Sequence, residues 1–197
     1  MPMKTRVTKS AILEKAIDIV RISGVDSLNA RALAQALQCS TQPIFSNYST
    51  MEELKADMIK GVYDIYCRYL EKSVSAGVYP PYKACGMGYI DFAREEPALF
   101  RLLFMSARWG SENVPASEER ERLLSLLMKT IGLSKEEANL FYLEMWAYVH
   151  GIATMIATDY LVLESETVSM MLSDAYLGMR DQYQKKKQEV IHHEKCD

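Results

Sequence analysis

The sequence predicts an all-α protein, and three observations support that prediction. Apolar side chains recur every three to four residues along nearly the whole chain, which is the repeat of a helix with one buried face. Several helix ends are marked by capping residues or by glycine. No segment stands out as a strand, and only 9 glycines and 6 prolines are available for turns.

The first four helices are placed by their caps and by their apolar faces. Asn29 is a good N-cap for the second helix and Ser40 for the third, while Ser49 or Thr50 caps the fourth. Pro43 falls in the first turn of the third helix, where its missing N–H is not needed. The predicted ranges are about residues 8–23, 30–37, 41–47 and 50–75.

Five further helices complete the predicted fold of about nine helices. Residues 77–81 contain two adjacent prolines and interrupt the helical pattern, and residues 109–115 are predicted to form a loop. Ser134 and Glu137 form a capping box at the start of a long helix. The predicted ranges are about residues 82–94, 98–108, 118–131, 135–163 and 166–187.

Basic side chains are concentrated near the N-terminus. Residues 1–50 carry six basic and three acidic side chains, whereas the rest of the chain carries 17 basic and 23 acidic ones. A basic front end on an acidic body is expected when only that end contacts phosphate. We therefore predict a helix-turn-helix DNA-binding domain over residues 1–49, followed by a larger helical ligand-binding and dimerisation domain over residues 50–197.

The turn between the second and third helices is only three residues long, which is the spacing of a helix-turn-helix. Such a pair presents the start of its second helix to base edges in the major groove, and an ordinary helical hairpin is the alternative. Gln42 can pair with adenine through two hydrogen bonds, and Thr41 offers a hydroxyl and a methyl group. The predicted DNA-contacting residues are Lys9, Asn29, Arg31, Thr41, Gln42, Pro43, Ser46, Asn47 and Tyr48.

Residues 12–54 resemble the N-terminal domain of the TetR family of bacterial repressors. The agreement extends over many positions at fixed spacing: Ile12, Leu13, Ala16, Gly24, Leu28, Arg31, Leu33, Ala34, Leu37, Ser40, Ile44, Phe45, Tyr48, Glu53 and Leu54. The resemblance implies a homodimer with an N-terminal three-helix DNA-binding domain and a helical effector domain. It also implies that effector binding releases a palindromic operator, so the chain is expected to act as a repressor.

The chain departs from the usual family pattern near the turn. Gln38 stands where the family often has Gly, and a positive φ there would strain it by about 1 kcal/mol. Phe45 replaces a Tyr and Met51 replaces a frequent Lys, which removes two phosphate contacts. Asn47 stands in place of the usual His and Tyr48 in place of the usual Phe. Donors suited to phosphate remain on Ser46, Asn47 and Tyr48.

A second resemblance lies at Trp146, His150 and Gly151, which are similar to the Trp-His-Gly signature of the C-terminal domain in one TetR subgroup. The Trp and the His share one helix face, and simple packing is the alternative. The 12 Met and 12 Tyr suit an apolar ligand pocket or a plain core. The candidate contacts for a small hydrophobic or aromatic effector are Tyr63, Tyr66, Tyr89, Phe92, Phe100, Phe104, Met105, Met145, Trp146 and His150.

The family resemblance also assigns the dimer interface to the last two long helices. Their apolar residues are Leu161, Val168, Met171, Leu172, Ala175, Leu177 and Met179, which pack only within the chain if the interface lies elsewhere. The two recognition helices of a dimer must lie about 34–36 Å apart to reach successive major grooves. An effector that prefers a mis-spaced state shifts the population away from DNA, with the fourth helix as the lever.

Other classes of function have less support in the sequence. We find no Ser/His/Asp motif, no phosphate loop and no metal-ligand spacing, so neither an enzyme nor a cofactor is expected. A helical ligand carrier or interaction protein is the remaining alternative. Cys39 in the turn is interpreted as a small buried residue, with a redox switch as the alternative. Residues 145–158 are too short to span a membrane and no secretion signal is present, so a cytoplasmic protein is expected.

Overall fold

The computed structural model describes residues 7–106 and 117–193, and over these residues the chain forms nine α-helices and no strand. The all-α prediction is therefore confirmed. A single 3-10 turn, Val25–Ser27, follows the first helix. The helices are α1 (Lys9–Ser23), α2 (Ala30–Ala36), α3 (Gln42–Asn47), α4 (Met51–Ser75), α5 (Pro81–Glu95), α6 (Pro97–Phe104), α7 (Ser117–Ile131), α8 (Lys135–Ala157) and α9 (Ser165–His193).

Three of the predicted caps are confirmed and one is wrong. At the start of α4 the Thr50 hydroxyl accepts a hydrogen bond from the N–H of Glu53 at 3.1 Å. The Asn29 side chain accepts hydrogen bonds from two backbone N–H groups at the start of α2, and the Ser134–Glu137 capping box opens α8. The N-cap of α3 is Thr41 rather than Ser40, and its side chain makes no capping hydrogen bond. The short α3 therefore depends on packing of its buried Ile44 more than on capping.

Helix α8 ends at Ala157, about one and a half turns before the predicted end near residue 163. Asp159 adopts a left-handed conformation with φ 55°, which takes the backbone out of the helix. The N–H of Tyr160 then donates to the carbonyl of Met155 at 2.9 Å and closes the last turn. The predicted loop at residues 109–115 and the predicted end of α6 at residue 108 lie outside the described residues.

The chain divides into two compact units. Unit 1 contains Met1–Tyr69 and Phe92–Pro115, and unit 2 contains Leu70–Asp91 and Ala116–Asp197. These two units are defined by which residues pack together. The predicted boundary between residues 49 and 50 instead separates a DNA-binding domain from a ligand-binding and dimerisation domain, and it stays a prediction. The difference has a physical reason, because α1, α2 and α3 alone are too small to bury a sizeable core.

Unit 1 is organised around α1, which contacts α2, α3 and α6. The buried face of α1 carries Ile12, Ala16, Ile17 and Val20, as its helical repeat predicts. An ion pair joins α1 to the start of α6, where Arg21 Nε lies 2.7 Å from Glu96 Oε2. The contact with α6 was not predicted, since the sequence gives no sign that residues so far apart meet.

Unit 2 is organised around α8, which contacts α7 and α9. Its core is a cluster of buried apolar residues on these three helices and in the connection between α7 and α8: Leu124, Leu127, Leu133, Ala138, Phe141, Met145 and Tyr183. Gly86 allows α5 to lie close to both α8 and α9, because a Cβ atom there would be 3.2 Å from Leu172 Cδ1 and 3.7 Å from Val149 Cγ2. No helix in the described part of the chain is long and apolar enough to cross a membrane.

Candidate nucleic-acid interface

Helices α2 and α3 form the predicted helix-turn-helix, but the connection between them is five residues long, residues 37–41, rather than the three predicted. After α2 the N–H of Cys39 donates to the carbonyl of Ala34 at 2.9 Å, which reverses the chain in a tight turn. Gln38 occupies the left-handed position of that turn with φ 51°. The turn thus has the geometry that favours glycine, and holding Gln38 in it costs about 1–2 kcal/mol. Cys39 is half-buried and has a free thiol.

Helix α3 exposes one face to solvent. Ile44 is fully buried and anchors α3 to the core, whereas Gln42, Phe45 and Ser46 are exposed on the opposite side. These three residues share a face because they are three and four positions apart. Phe45 is 48% exposed, which is unusual for an aromatic ring on a short helix. In the sequence Phe45 stands out only by its missing hydroxyl, whereas in the structure its ring is an exposed apolar surface.

Of the three predicted phosphate donors, two form hydrogen bonds inside the protein and the third is buried. The Ser46 hydroxyl donates to the carbonyl of Gln42 at 2.9 Å, and the Asn47 amide donates to the carbonyls of Pro43 and Val7 at 2.8 and 3.4 Å. Contrary to the prediction, Tyr48 offers no donor at the surface, because it is only 1% exposed. Its ring is packed in the core of unit 1.

The remaining predicted DNA contacts divide into caps and exposed groups. Both ends of the Asn29 amide are used, because Oδ1 accepts from the backbone of α2 and Nδ2 donates to the carbonyl of Ser27 at 3.3 Å. Arg31 is exposed near the start of α2, where its guanidinium can contact phosphate. Thr41 and Pro43 are half-buried at the start of α3.

Lys9 lies in the first turn of α1, beside the end of α3. Its ammonium group is 4.6 Å from the centre of the Tyr48 ring and 2.7 Å from Asp57 Oδ2 on α4. The hydrogen bond from Lys9 holds the pKa of Asp57 below its ordinary value. The predicted phosphate contact is thus already paired with a carboxylate.

The predicted effector contacts fall into two sets, one in each unit. In unit 1 the rings of Tyr66 and Phe92 are 5.6 Å apart, and those of Phe100 and Phe104 are 5.3 Å apart. Tyr63 adds a further ring, 5.6 Å from Tyr66. Phe92 and Phe100 are completely buried and pack as core, whereas Tyr63 and Phe104 are half-buried. Met105, the last member of the unit 1 set, is 42% exposed at the end of α6.

The unit 2 set contains a polar contact between α5 and α8. The hydroxyl of Tyr89 lies 2.9 Å from His150 Nδ1, and Thr154 Oγ1 lies 3.4 Å from His150 Nε2. Burial lowers the pKa of His150, so the ring is neutral near pH 7, and its tautomer determines whether Nδ1 or the Tyr89 hydroxyl is the donor. Trp146 stacks on the His150 ring with centroids 4.9 Å apart. Met145 differs from the prediction, because it packs in the core of unit 2.

Helices α8 and α9 expose apolar residues that no described residue covers. Leu140 and Leu143 on α8 are 51% and 55% exposed, and they lie on one face with Trp146. Met170 and Leu177 on α9 are 56% and 43% exposed. Two of the predicted interface residues, Val168 and Leu172, are instead buried within unit 2.

Comparison with known proteins gives a family match in the C-terminal part of the chain. Residues 82–174 match the family model described as a tetracyclin repressor-like C-terminal domain. The matched segment includes Trp146, His150 and Gly151. No curated protein matches the chain in sequence. Among the described residues, no group of three or more acidic, His or Cys side chains is placed to hold a metal ion.

The fold is similar to solved structures of transcriptional regulators. A TetR-like regulator from Rhodococcus sp. RHA1 superposes with a TM-score of 0.63 at 17% identity, covering 90% of this chain and 98% of its own. A second regulator from the same organism gives 0.58 at 20% identity, with coverages of 89% and 96%. The ketosteroid transcriptional regulator KstR2 of Mycobacterium tuberculosis gives 0.55 at 14% identity, with coverages of 86% and 93%.

Proposed function

We propose that this chain binds duplex DNA through α3 as a homodimer and releases the DNA when a small hydrophobic ligand binds. The family match of its C-terminal part and the similarity of its fold to a TetR-like regulator support this proposal. One observation carries the DNA-binding proposal. The short helix after the tight turn presents Gln42, Phe45 and Ser46 to solvent, while its opposite face is anchored by Ile44. An exposed polar and aromatic face on such a helix suits a major groove.

The exposed side chains suggest which bases are read. Gln42 in the first turn of α3 can form two hydrogen bonds to adenine, and the Phe45 ring can contact the methyl group of thymine. Their positions on one helix face suit neighbouring A·T pairs in each half-site. Arg31 then contacts phosphate and fixes the orientation of α3 without reading sequence. We therefore expect an A·T-containing palindrome whose half-sites are centred about 34–36 Å apart.

Selection from a random duplex pool tests the DNA-binding proposal. The unmodified chain should enrich one palindromic sequence, and Gln42→Ala should bind it more weakly with relaxed preference at one base pair, by about 1–3 kcal/mol. Gln35→Ala is the matched control, because Gln35 is exposed on α2 and is not proposed to contact a base. An unchanged preference in Gln42→Ala would exclude Gln42 as the reader. Failure of the chain to enrich any duplex would favour a helical ligand-binding protein instead.

The role of Phe45 can be tested by removing a single methyl group from the DNA. Replacing thymine by uracil in the selected duplex should weaken binding about fourfold at the contacted position, the value of one buried methyl or methylene group. The same replacement should have no effect on Phe45→Ala, which has lost the ring. Equal sensitivity of both proteins to uracil would show that Phe45 does not contact the methyl group.

We propose that the homodimer forms through α8 and α9, with Leu140 and Leu143 at its centre. Leu143→Glu places a charge in this apolar face and should convert the dimer to a monomer in sedimentation experiments. Duplex binding should weaken at the same time, because one α3 reaches only one half-site. Val162→Glu is the control, since Val162 is 90% exposed after the end of α8. Dimers of unchanged stability in Leu143→Glu would place the interface elsewhere.

We propose that the effector binds in unit 2 near Tyr89, Trp146 and His150. The two aromatic rings supply apolar surface, and the Tyr89–His150 hydrogen bond supplies a polar group that can orient a ligand. A panel of hydrophobic and aromatic compounds should contain members that raise the melting temperature and release the selected duplex. His150→Ala should weaken the binding of those compounds to the protein while leaving its affinity for the duplex unchanged. Release that is insensitive to His150→Ala would place the effector at other residues.

A further inference from the structure

Four side chains form a small charged cluster at the surface of unit 1, here called the Lys9 cluster: Lys9, Tyr48, Asp57 and Lys60. Asp57 is at its centre, with Oδ2 2.7 Å from Lys9 Nζ and Oδ1 3.8 Å from Lys60 Nζ. The Lys9 ammonium also lies over the face of the Tyr48 ring, 4.6 Å from its centre. Asp57 and Lys60 share one face of α4 because they are three positions apart.

The cluster adjoins the surface that the proposed function assigns to DNA. Tyr48 follows directly after α3, and the Asn47 amide reaches the carbonyl of Val7, so the start of α1 lies against the end of α3. Lys9 keeps 52% of its side chain exposed and Asp57 keeps 28%. A phosphate that approaches the end of α3 therefore meets both the ammonium group and the carboxylate.

We propose that Asp57 lowers the affinity of this protein for DNA by engaging the Lys9 ammonium, an inference that rests on the proposed function. When DNA arrives, Lys9 either leaves the carboxylate for a phosphate or keeps it and brings a negative charge to the backbone. The first route loses the ion pair and the second adds repulsion, so both weaken binding. Lys9, Lys60 and Asp57 carry a net charge of +1, which the neighbouring Glu53 carboxylate reduces to zero, so removal of Asp57 would make the local charge +1.

The opposite role, in which Asp57 presents Lys9 to the phosphate, is less consistent with the geometry. Lys9 rests on the Tyr48 ring, and the full burial of Tyr48 fixes the position of that ring. The carboxylate therefore adds little orientation that the ring does not already give. Its main effect on an approaching phosphate is electrostatic. The two roles predict opposite changes in DNA affinity when Asp57 is neutralised: a gain if Asp57 holds Lys9 back, and a loss if Asp57 presents Lys9 to the phosphate.

The test measures affinity for the selected duplex as a function of salt. Asp57→Asn and Asp57→Ala should both bind at least about threefold more tightly at physiological salt, with a plot of log affinity against log salt steeper by about 0.9, the value of one phosphate contact. Asp64→Asn is the matched control, because it removes the same charge from an exposed position further along α4. Melting curves establish that each variant is folded.

A second comparison separates action through Lys9 from a general change in charge. In a Lys9→Met background, Asp57→Asn should gain less affinity and should lose the steeper salt dependence. Unchanged or weaker binding by the two Asp57 variants, or an equal gain in the Lys9→Met background, would overturn the inference while leaving the proposed function intact. Absence of duplex binding by the unmodified chain would overturn both.

Discussion

The substitution Tyr48→Phe is expected to stabilise the protein. Tyr48 is 1% exposed, and its hydroxyl oxygen is buried without a hydrogen bond of ordinary length to any residue in ranges 7–106 and 117–193. A buried polar group without a partner costs about 1–3 kcal/mol, whereas removing the hydroxyl leaves a gap of only one atom. The ring itself is retained, so its contact with the Lys9 ammonium remains.

We therefore expect Tyr48→Phe to raise the free energy of unfolding by about 1 kcal/mol, which corresponds to about 2–4 °C in melting temperature for a chain of this length. Urea titration and thermal melting measure it. Tyr69→Phe is the matched control in the same unit, because the Tyr69 hydroxyl donates to Glu95 Oε2 at 2.9 Å and its loss should destabilise. A Tyr48→Phe protein less stable than the parent would refute the reasoning, since it would mean that the hydroxyl makes a favourable interaction.

Three further outcomes are expected. Gln38→Gly should stabilise by about 0.5–1 kcal/mol, because relief of strain at φ 51° exceeds the extra backbone entropy of glycine; Gln38→Ala, which keeps the strain, should gain nothing in the same urea titration. The free energy of unfolding should fall as the pH drops through about 6.5, because burial lowers the pKa of His150 and the unfolded chain then binds more protons; His150→Gln should flatten this slope. Ser134→Ala should cost about 1 kcal/mol by removing the capping box of α8, and an unchanged melting curve would show that the cap is dispensable.

The sequence predicts the local features of this fold well. Helical periodicity and side-chain caps such as Asn29 and Ser134 depend on residues a few positions apart, so they can be recognised without knowing the tertiary structure. The end of α8 was missed because an Asp, rather than a Gly, adopts the left-handed conformation there. Asp159 carries no sequence mark that separates it from an Asp inside a helix.

The candidate site was harder to predict because it depends on long-range contacts. Spacing predicted the exposed position of Gln42 in α3, but Tyr48 has a polar hydroxyl and was therefore assigned to the surface. The pairing of Lys9 with Asp57 joins the start of α1 to α4, and no local pattern connects two such distant residues. Most of the predicted effector contacts are aromatic residues and the others include two methionines, and residue type alone cannot separate pocket walls from core residues such as Phe92.

Unit 1 is assembled from two separate stretches of the chain, and this affects the order in which the protein can fold during synthesis. Helix α1 gains its contact with α6, and the Arg21–Glu96 ion pair, only after a further 75 residues have been made. Until then a nascent chain that already carries α1, α2 and α3 leaves part of the α1 surface uncovered. A fragment that ends before α6 should consequently be less stably folded than the full chain. The same applies to any attempt to express the N-terminal helices alone.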